Sequence, residues 1–379
     1  MKNKEYLAKR DELVSFFSGD NHLKDDEKLG IQFNLVSASL LNYLPEIAFP
    51  HHEDIYKNIL LHQHLSRLEE SFYGALDYVT CENLNKDIRS VLRYKPSIIC
   101  TFHTGSYRVI NLWLTKQNIP YVLVIARNVI AAQGDRFLQS YNQLPGSHKA
   151  HSFSWIDAES PSSGLKMLRE IKNGKNLLLY IDGNTGSGSN TMSNHNHLTI
   201  DFFARQIFAR KGIALLAHIA HSPIITVASY RKSIADIRLR FFDPLFPDAK
   251  QERAAFAKAT TQKIYNMVAP IIKAHPHQWE GWMYLHKSAH IPVTDEKLAG
   301  SANMKPVACE RVLFNSAGFG IFKIEDNAFL FQKNNYRFYP VNKSLYHLLS
   351  GCMLQPVSRK NIESGLFSLL YAKKVLVSV

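Results

Sequence analysis

Cysteine is scarce in this chain of 379 residues: four occur, at positions 81, 100, 309 and 352, and no two have the C-x-x-C spacing. That excludes a disulfide framework and a cysteine-built zinc site as organising devices, and it fits a reducing, cytoplasmic setting. Long hydrophobic runs are also missing; none approaches the roughly 20 residues that a membrane-spanning helix needs. The opening Met1-Lys-Asn-Lys-Glu-Tyr-Leu-Ala-Lys-Arg10 is charged and leads into no secretory apolar core. The expectation is a cytoplasmic protein, with peripheral attachment to the inner face of the membrane left open. No repeat or low-complexity tract interrupts a composition of 46% hydrophobic and 20% charged residues, which is that of an ordinary folded chain. Acidic side chains are in deficit: 32 Asp and Glu face 45 Lys and Arg, a net charge of +13. Such an excess favours anionic partners, among them nucleic acid, an anionic membrane surface, coenzyme A phosphates and acidic carrier proteins. The cations are spread along the chain, so charge alone does not choose among these.

Within this composition the chain divides by pattern. Residues 1–90 place apolar side chains three and four apart, as at 36–44 and 59–68, which predicts a helical segment packed on the core. From 91 to 291, short apolar runs at 97–102, 121–125, 177–181 and 223–229 alternate with helix-like stretches. One of these, 162–172, stops at Asn173-Gly174 as a helix C-cap should, and another, 252–274, contains Pro270. The alternation predicts an α/β core, a mixed sheet flanked by helices, with ligands bound at the strand ends. Residues 292–306 read as a linker. Residues 307–379 read as a small α+β domain with a hairpin at Asp326-Asn327, two helices and a terminal strand.

His103 follows the first apolar run and opens the turn His103-Thr-Gly-Ser-Tyr-Arg108. An imidazole at a strand end is suited to proton transfer near neutral pH. Asp182 ends a second run, where it is a candidate partner for that histidine or a turn cap. Asn194-His195-Asn-His197 has the look of a metal pair but lacks a nearby carboxylate or cysteine, so no metal is expected. The run from Gly183 to Asn190 is glycine-rich without the Lys-Ser/Thr of a phosphate-binding loop, and reads as a loop over the site.

Four segments in order carry a resemblance. They are His103-Thr-Gly-Ser-Tyr-Arg108, Leu178-Leu-Tyr-Ile-Asp182-Gly-Asn184, Thr199-Ile-Asp-Phe-Phe-Ala204 with 214–227, and His275-Pro-His-Gln-Trp-Glu-Gly-Trp-Met-Tyr-Leu-His-Lys287. Together they resemble the lysophospholipid acyltransferase superfamily, in its branch of lipid A and mannolipid acyltransferases, and so imply a glycerolipid acyltransferase-like fold. The resemblance implies an acyltransferase that moves an acyl group from acyl-CoA or acyl carrier protein to a hydroxyl or amine, with no cofactor beyond that thioester substrate. It implies His103 as general base, with an acid five positions on. Backbone N–H groups of Gly105 and Ser106 would serve the oxyanion. Arg108, Arg127, Asn184 and Asp201 complete the candidate substrate-binding set. The lysine and histidine of His286-Lys287 are read as structural.

Arg108 departs from the pattern, because a guanidinium cannot accept the imidazole N–H. Either another acid serves, Asp182 first and Glu280 next, or the acceptor is an amine needing less assistance, or the site is inactive; Arg108 itself would then be free to hold a donor phosphate. Residues about 307–379, through Tyr339-Pro-Val-Asn342, Leu345-Tyr-His-Leu-Leu-Ser-Gly351 and 362–376, resemble the winged-helix-like domain of the coenzyme PQQ synthesis protein D family. That likeness implies a peptide or carrier partner, whereas Arg359-Lys360 and Lys373-Lys374 are too few for a nucleic-acid site. Three functions remain open from sequence: thioester-dependent acyl transfer in a lipid or natural-product pathway, lipid A-type acylation, and a catalytically degenerate carrier- or peptide-binding protein.

Overall fold

Unbroken apolar runs mark the centre of the fold, because a strand covered on both faces has no solvent side to leave polar. The computed structural model describes residues 2–19, 27–132, 154–183, 196–248, 250–291 and 309–379. Unit 1 comprises Met1–Asn21 and Asp54–His290, and unit 2 comprises His22–Glu53 and Ile291–Val379. The helical stretch read as one segment over 1–90 is therefore shared between them. Helix α1 (Lys2–Ser18) falls in unit 1, α2 (Glu27–Tyr43) in unit 2, and all but the first two residues of α3 (His52–Glu69) in unit 1. The expected linker at 292–306 lies outside the described residues.

Unit 1 continues with β1 (Val79–Glu82), α4 (Lys86–Tyr94), β2 (Ile98–Thr101), α5 (Val109–Lys116), β3 (Tyr121–Ile125), β4 (Trp155–Asp157), α6 (Ser163–Lys172) and β5 (Asn176–Tyr180). A hairpin of β6 (His197–Phe202) and β7 (Arg205–Arg210) follows, then α7 (Gly212–Ala220), β8 (Ile224–Ser233), β9 (Asp236–Phe241), α8 (Arg253–Ala274) and β10 (Ala289–His290). The main sheet has the order β1-β9-β8-β2-β5-β3-β4. Its members from β8 to β4 are parallel, while β9 pairs antiparallel with β8 and parallel with β1. This is a mixed α/β sheet flanked by helices, and β6, β7 and β10 form a separate antiparallel sheet.

The central pair positions the site. Ile98-Ile-Cys-Thr is buried at every position, and Thr101 of β2 stands opposite Tyr180 of β5. His103 and Asp182 each lie two residues past these partners, so the register delivers them side by side. Asn176 fixes the other end of the same strands. Its Oδ1 accepts from Ser97 N at 2.9 Å, and its Nδ2 donates to Leu92 O at 3.1 Å and Pro120 O at 2.9 Å.

Unit 2 adds β11 (Arg311–Phe314), β12 (Phe319–Ile324), β13 (Asn327–Gln332), β14 (Arg337–Val341), α9 (Lys343–Leu354), β15 (Val357–Ser358), α10 (Ser364–Ala372) and β16 (Leu376–Ser378). Two three-stranded antiparallel sheets result, β15-β11-β16 and β12-β13-β14. Leu349 of α9 and Phe367 of α10 close over Val312, Phe314 and Leu376, while Ala38 of α2 packs on Phe322 and Phe331. Among the described residues of both units, no helix is long and apolar enough to cross a membrane.

Candidate active site

His103 Nδ1 lies 2.8 Å from Asp182 Oδ1, and the carboxylate also accepts the histidine's own backbone N–H at 2.9 Å on Oδ2. Trp279 Nε1 donates to the same Oδ2 at 2.7 Å. With its carboxylate encircled by donors, Asp182 is an acceptor, so Nδ1 carries the proton and the basic lone pair sits on Nε2. Burial alone would push the His103 pKa down. The Asp182 charge and hydrogen bond, reinforced by Glu280, outweigh that burial and the opposing Arg108, and hold the imidazole above its ordinary value. Rings of Tyr107, Tyr180 and Tyr284 pack around it at 4.9, 4.7 and 6.3 Å between centroids.

The turn after His103 is locked into the protein interior. Gly105 has φ +57°, and a Cβ there would meet the Tyr230 backbone at 2.7 Å, so only glycine fits. Its N–H donates to Gln278 O at 2.9 Å, Ser106 N–H donates to Ser229 Oγ at 3.1 Å, and Thr104 N–H donates to Phe102 O at 2.8 Å. The expected oxyanion role of Gly105 and Ser106 is therefore corrected: their N–H groups are already engaged, and both residues brace the turn. Ser106 Oγ donates to buried Glu69 at 2.6 Å, and the Arg231 guanidinium reaches the same Oε2 at 2.6 Å.

Arg108 does not point away from the site. It lines the cavity with His103, lies over the Tyr107 ring, and pairs through Nη1 with Glu70 Oε2 at 3.1 Å. Its Nε donates to the Tyr107 hydroxyl at 3.2 Å. Burial keeps the Tyr107 phenol protonated, well above its ordinary pKa. The cavity holds about 560 Å³, within the roughly 300–1,000 Å³ of small-ligand sites. Its walls are mainly apolar: Leu123 and Ile125 of β3, Leu179 of β5, Met167 and Leu168 of α6, and Leu215, Leu216 and Ile219 of α7. Arg210, the last residue of β7, and Lys211, which caps the start of α7, join them.

Glu280 is buried next to this group; its N–H donates to His103 O at 2.9 Å and its Oε2 accepts from Gln63 at 3.0 Å. It acts on His103 through charge, while Asp182 makes the hydrogen bond. Two expected residues are not brought to the cavity. Arg127 is exposed and pairs with Asp157 at 2.9 Å, the ordinary fate of a strand-end cation. Asp201 is exposed on the β6–β7 hairpin, where its Oδ1 accepts from Gln206 at 2.9 Å and its backbone clasps the Gln262 amide. Neither lines this cavity, and each is held in a local polar pair. Asn184, Asn194 and His195 lie outside the described residues, as does most of the glycine-rich run. Among the described residues, no group of three His, Cys, Asp or Glu is placed to hold a metal ion.

Sequence reasoning gave no role to Tyr107, Gln278 or Trp279, although they lie within the segments that carry the resemblance, and did not single out Glu69 or Glu70. One signal was present for two of them. Consecutive acids at the C-terminal end of a helix oppose its dipole, which implies a tertiary cation to hold them; Arg231 and Arg108 are those cations.

No family model and no curated protein matches this sequence. Among solved structures the chain is similar to the 1-acyl-sn-glycerophosphate (LPA) acyltransferase PlsC from Thermotoga maritima, at 10% identity and a TM-score of 0.32. The match covers 66% of this chain and 97% of that one. A likeness of that extent assigns neither residues nor activity to this chain.

Proposed function

We propose that this protein is an acyltransferase that moves an acyl group from a thioester, of coenzyme A or an acyl carrier protein, to a hydroxyl or amine acceptor. One observation carries the reading: an imidazole with a carboxylate on Nδ1 stands at the wall of a mainly apolar cavity. His103 Nε2 takes the acceptor's proton as the acceptor oxygen or nitrogen attacks the thioester carbonyl carbon. The tetrahedral adduct collapses, the C–S bond breaks, and the leaving thiolate takes the proton back from Nε2. Asp182 steadies the imidazolium between these transfers. With the turn N–H groups engaged, the cation on the cavity wall that answers the developing oxyanion is Arg108. The apolar walls suit an acyl chain, and Arg210 and Lys211 suit the anionic end of its carrier.

The reaction needs no cofactor besides the thioester it consumes. The setting we favour is cytoplasmic, or peripheral at the inner membrane face, in a lipid or natural-product pathway, with a lipid A-type acceptor as the alternative. For unit 2 we retain peptide or carrier docking, supported by edge strand β14 with exposed Phe338 and Tyr339. A purely binding function, suggested by Arg108 in the place of the expected acid, would gain weight from a histidine lacking any carboxylate partner; Asp182 at 2.8 Å favours the catalytic reading instead.

The test is a panel of acyl-CoA and acyl-carrier thioesters offered with hydroxyl and amine acceptors to wild type and His103→Ala. Thiol release and acyl transfer by wild type should fall by about 10²-fold or more in the variant. Equal turnover by the two proteins overturns the proposal.

A further inference from the structure

The segment after α8 is laced to the turn that carries His103. Thr104 and Trp279 form an antiparallel bridge, Gly105 N–H donates to Gln278 O, and Glu280 N–H donates to His103 O. This lacing brings the Trp279 indole, itself buried against Phe202 and Trp282, edge-on to Asp182. Gly281 has an ordinary backbone, yet a Cβ built there would overlap the indole at Cε2, Cζ2 and Nε1. The glycine is thus required for room.

We infer that Trp279 is a positioning residue for the His103–Asp182 pair, its N–H orienting Asp182 and dispersing the carboxylate charge, with Gly281 keeping open the space the indole occupies. The inference rests on the acyl-transfer reading for its purpose, though the coupling it describes is a property of the side chains alone. Oδ2 receives two donors, from Trp279 at 2.7 Å and from His103 N at 2.9 Å. Removing the indole donor concentrates negative charge on Asp182, which favours imidazolium, so His103 should titrate at a higher pH. The other charged and titratable groups facing His103 are Glu280, Arg108, Tyr107, Tyr180 and Tyr284, and none of them bonds the Trp279 N–H.

The experiment is a titration of the histidine ¹⁵N resonances in the full chain, with the His103 signals identified by their loss in His103→Gln. Two Trp279 variants are compared with wild type: Trp279→Phe, and an isosteric replacement by benzothienylalanine, which keeps the ring and lacks the N–H. The His103 pKa should rise by about half a unit in the isostere, and the acid limb of kcat/KM should move with it while KM for the thioester holds. Gly281→Ala, by displacing the indole, should shift it the same way. An unchanged or lower His103 pKa in a folded isosteric variant overturns the inference, because a packing role alone predicts that result. Failure of the acyl-transfer reading is distinguishable: the resonance shift would persist with no thioester turnover to measure.

Discussion

Arg231 and Lys333 are buried to nearly the same degree, 2% and 1% exposed, but the two units accommodate them by opposite means. In unit 1 the Arg231 guanidinium is answered by Glu69 at 2.6 Å, and the same carboxylate takes the Ser106 hydroxyl and, more loosely, the Tyr6 hydroxyl at 3.3 Å. In unit 2 the Lys333 ammonium meets only neutral groups: Ser316 O at 2.7 Å, Ser37 Oγ at 2.9 Å, and the faces of Phe49 and Phe33. Among the described residues no carboxylate pairs with it. A guanidinium keeps its proton under nearly any conditions and so must be given a counter-ion, whereas an amine can yield its proton instead. Burial accordingly brings the Lys333 pKa from 10.5 down to about 7. The paired site fixes the turn beside His103; the unpaired one makes its unit sensitive to pH.

The sharpest way to break this contrast is Glu69→Ala, which strands Arg231 without a partner and should cost about 3–5 kcal/mol in urea unfolding. Thioester turnover should fall as well, since Ser106 loses its acceptor. A melt within about 1 kcal/mol of wild type would show that the pair is not what holds the turn. Next in size is the pH response of unit 2. Between pH 7 and 10.5 the unfolded chain holds the Lys333 proton and the folded one releases it, so stability climbs with pH, by at most about 1.4 kcal/mol per unit. Below pH 7 both states bind the proton and the full penalty persists. Neighbouring His52, pushed down to about 4 chiefly by burial, stays out of this window. Urea melts at three pH values from 7.5 to 9.5 should show the slope in wild type and none in Lys333→Met; equal slopes would refute it. The smallest effect belongs to Tyr6→Phe, which removes one long hydrogen bond to Glu69 and should cost about 0.5–1 kcal/mol, with activity retained.

Much of the core was legible because its signals are local. The apolar runs at 97–102, 121–125, 177–181 and 223–229 became β2, β3, β5 and β8, and the helix stop at Asn173-Gly174 stands. Asp182 was a candidate from sequence because it ends a strand, and strand register then set it against His103. Arg127 and Asp201 are also at strand ends, yet they face solvent and pair with neighbours, a difference in facing that no spacing encodes. The turn N–H groups looked available only because their acceptors, Gln278 O and Ser229 Oγ, lie more than a hundred positions away. The grouping of α2 with unit 2 was illegible for a similar reason: the amphipathic pattern of a helix announces that a face is buried without saying against what.

The order of strands has a consequence for how the chain is made. β5 lies between β2 and β3, although both precede it in sequence. As the polypeptide leaves the ribosome, β2 and β3 cannot zip together and keep their native neighbours; a slot one strand wide has to stay open until residues 176–180 emerge. Asp182 arrives two residues behind that strand. Until it does, His103 is an imidazole without its carboxylate, and the pair that the two residues make waits on the strand that fills the gap between β2 and β3.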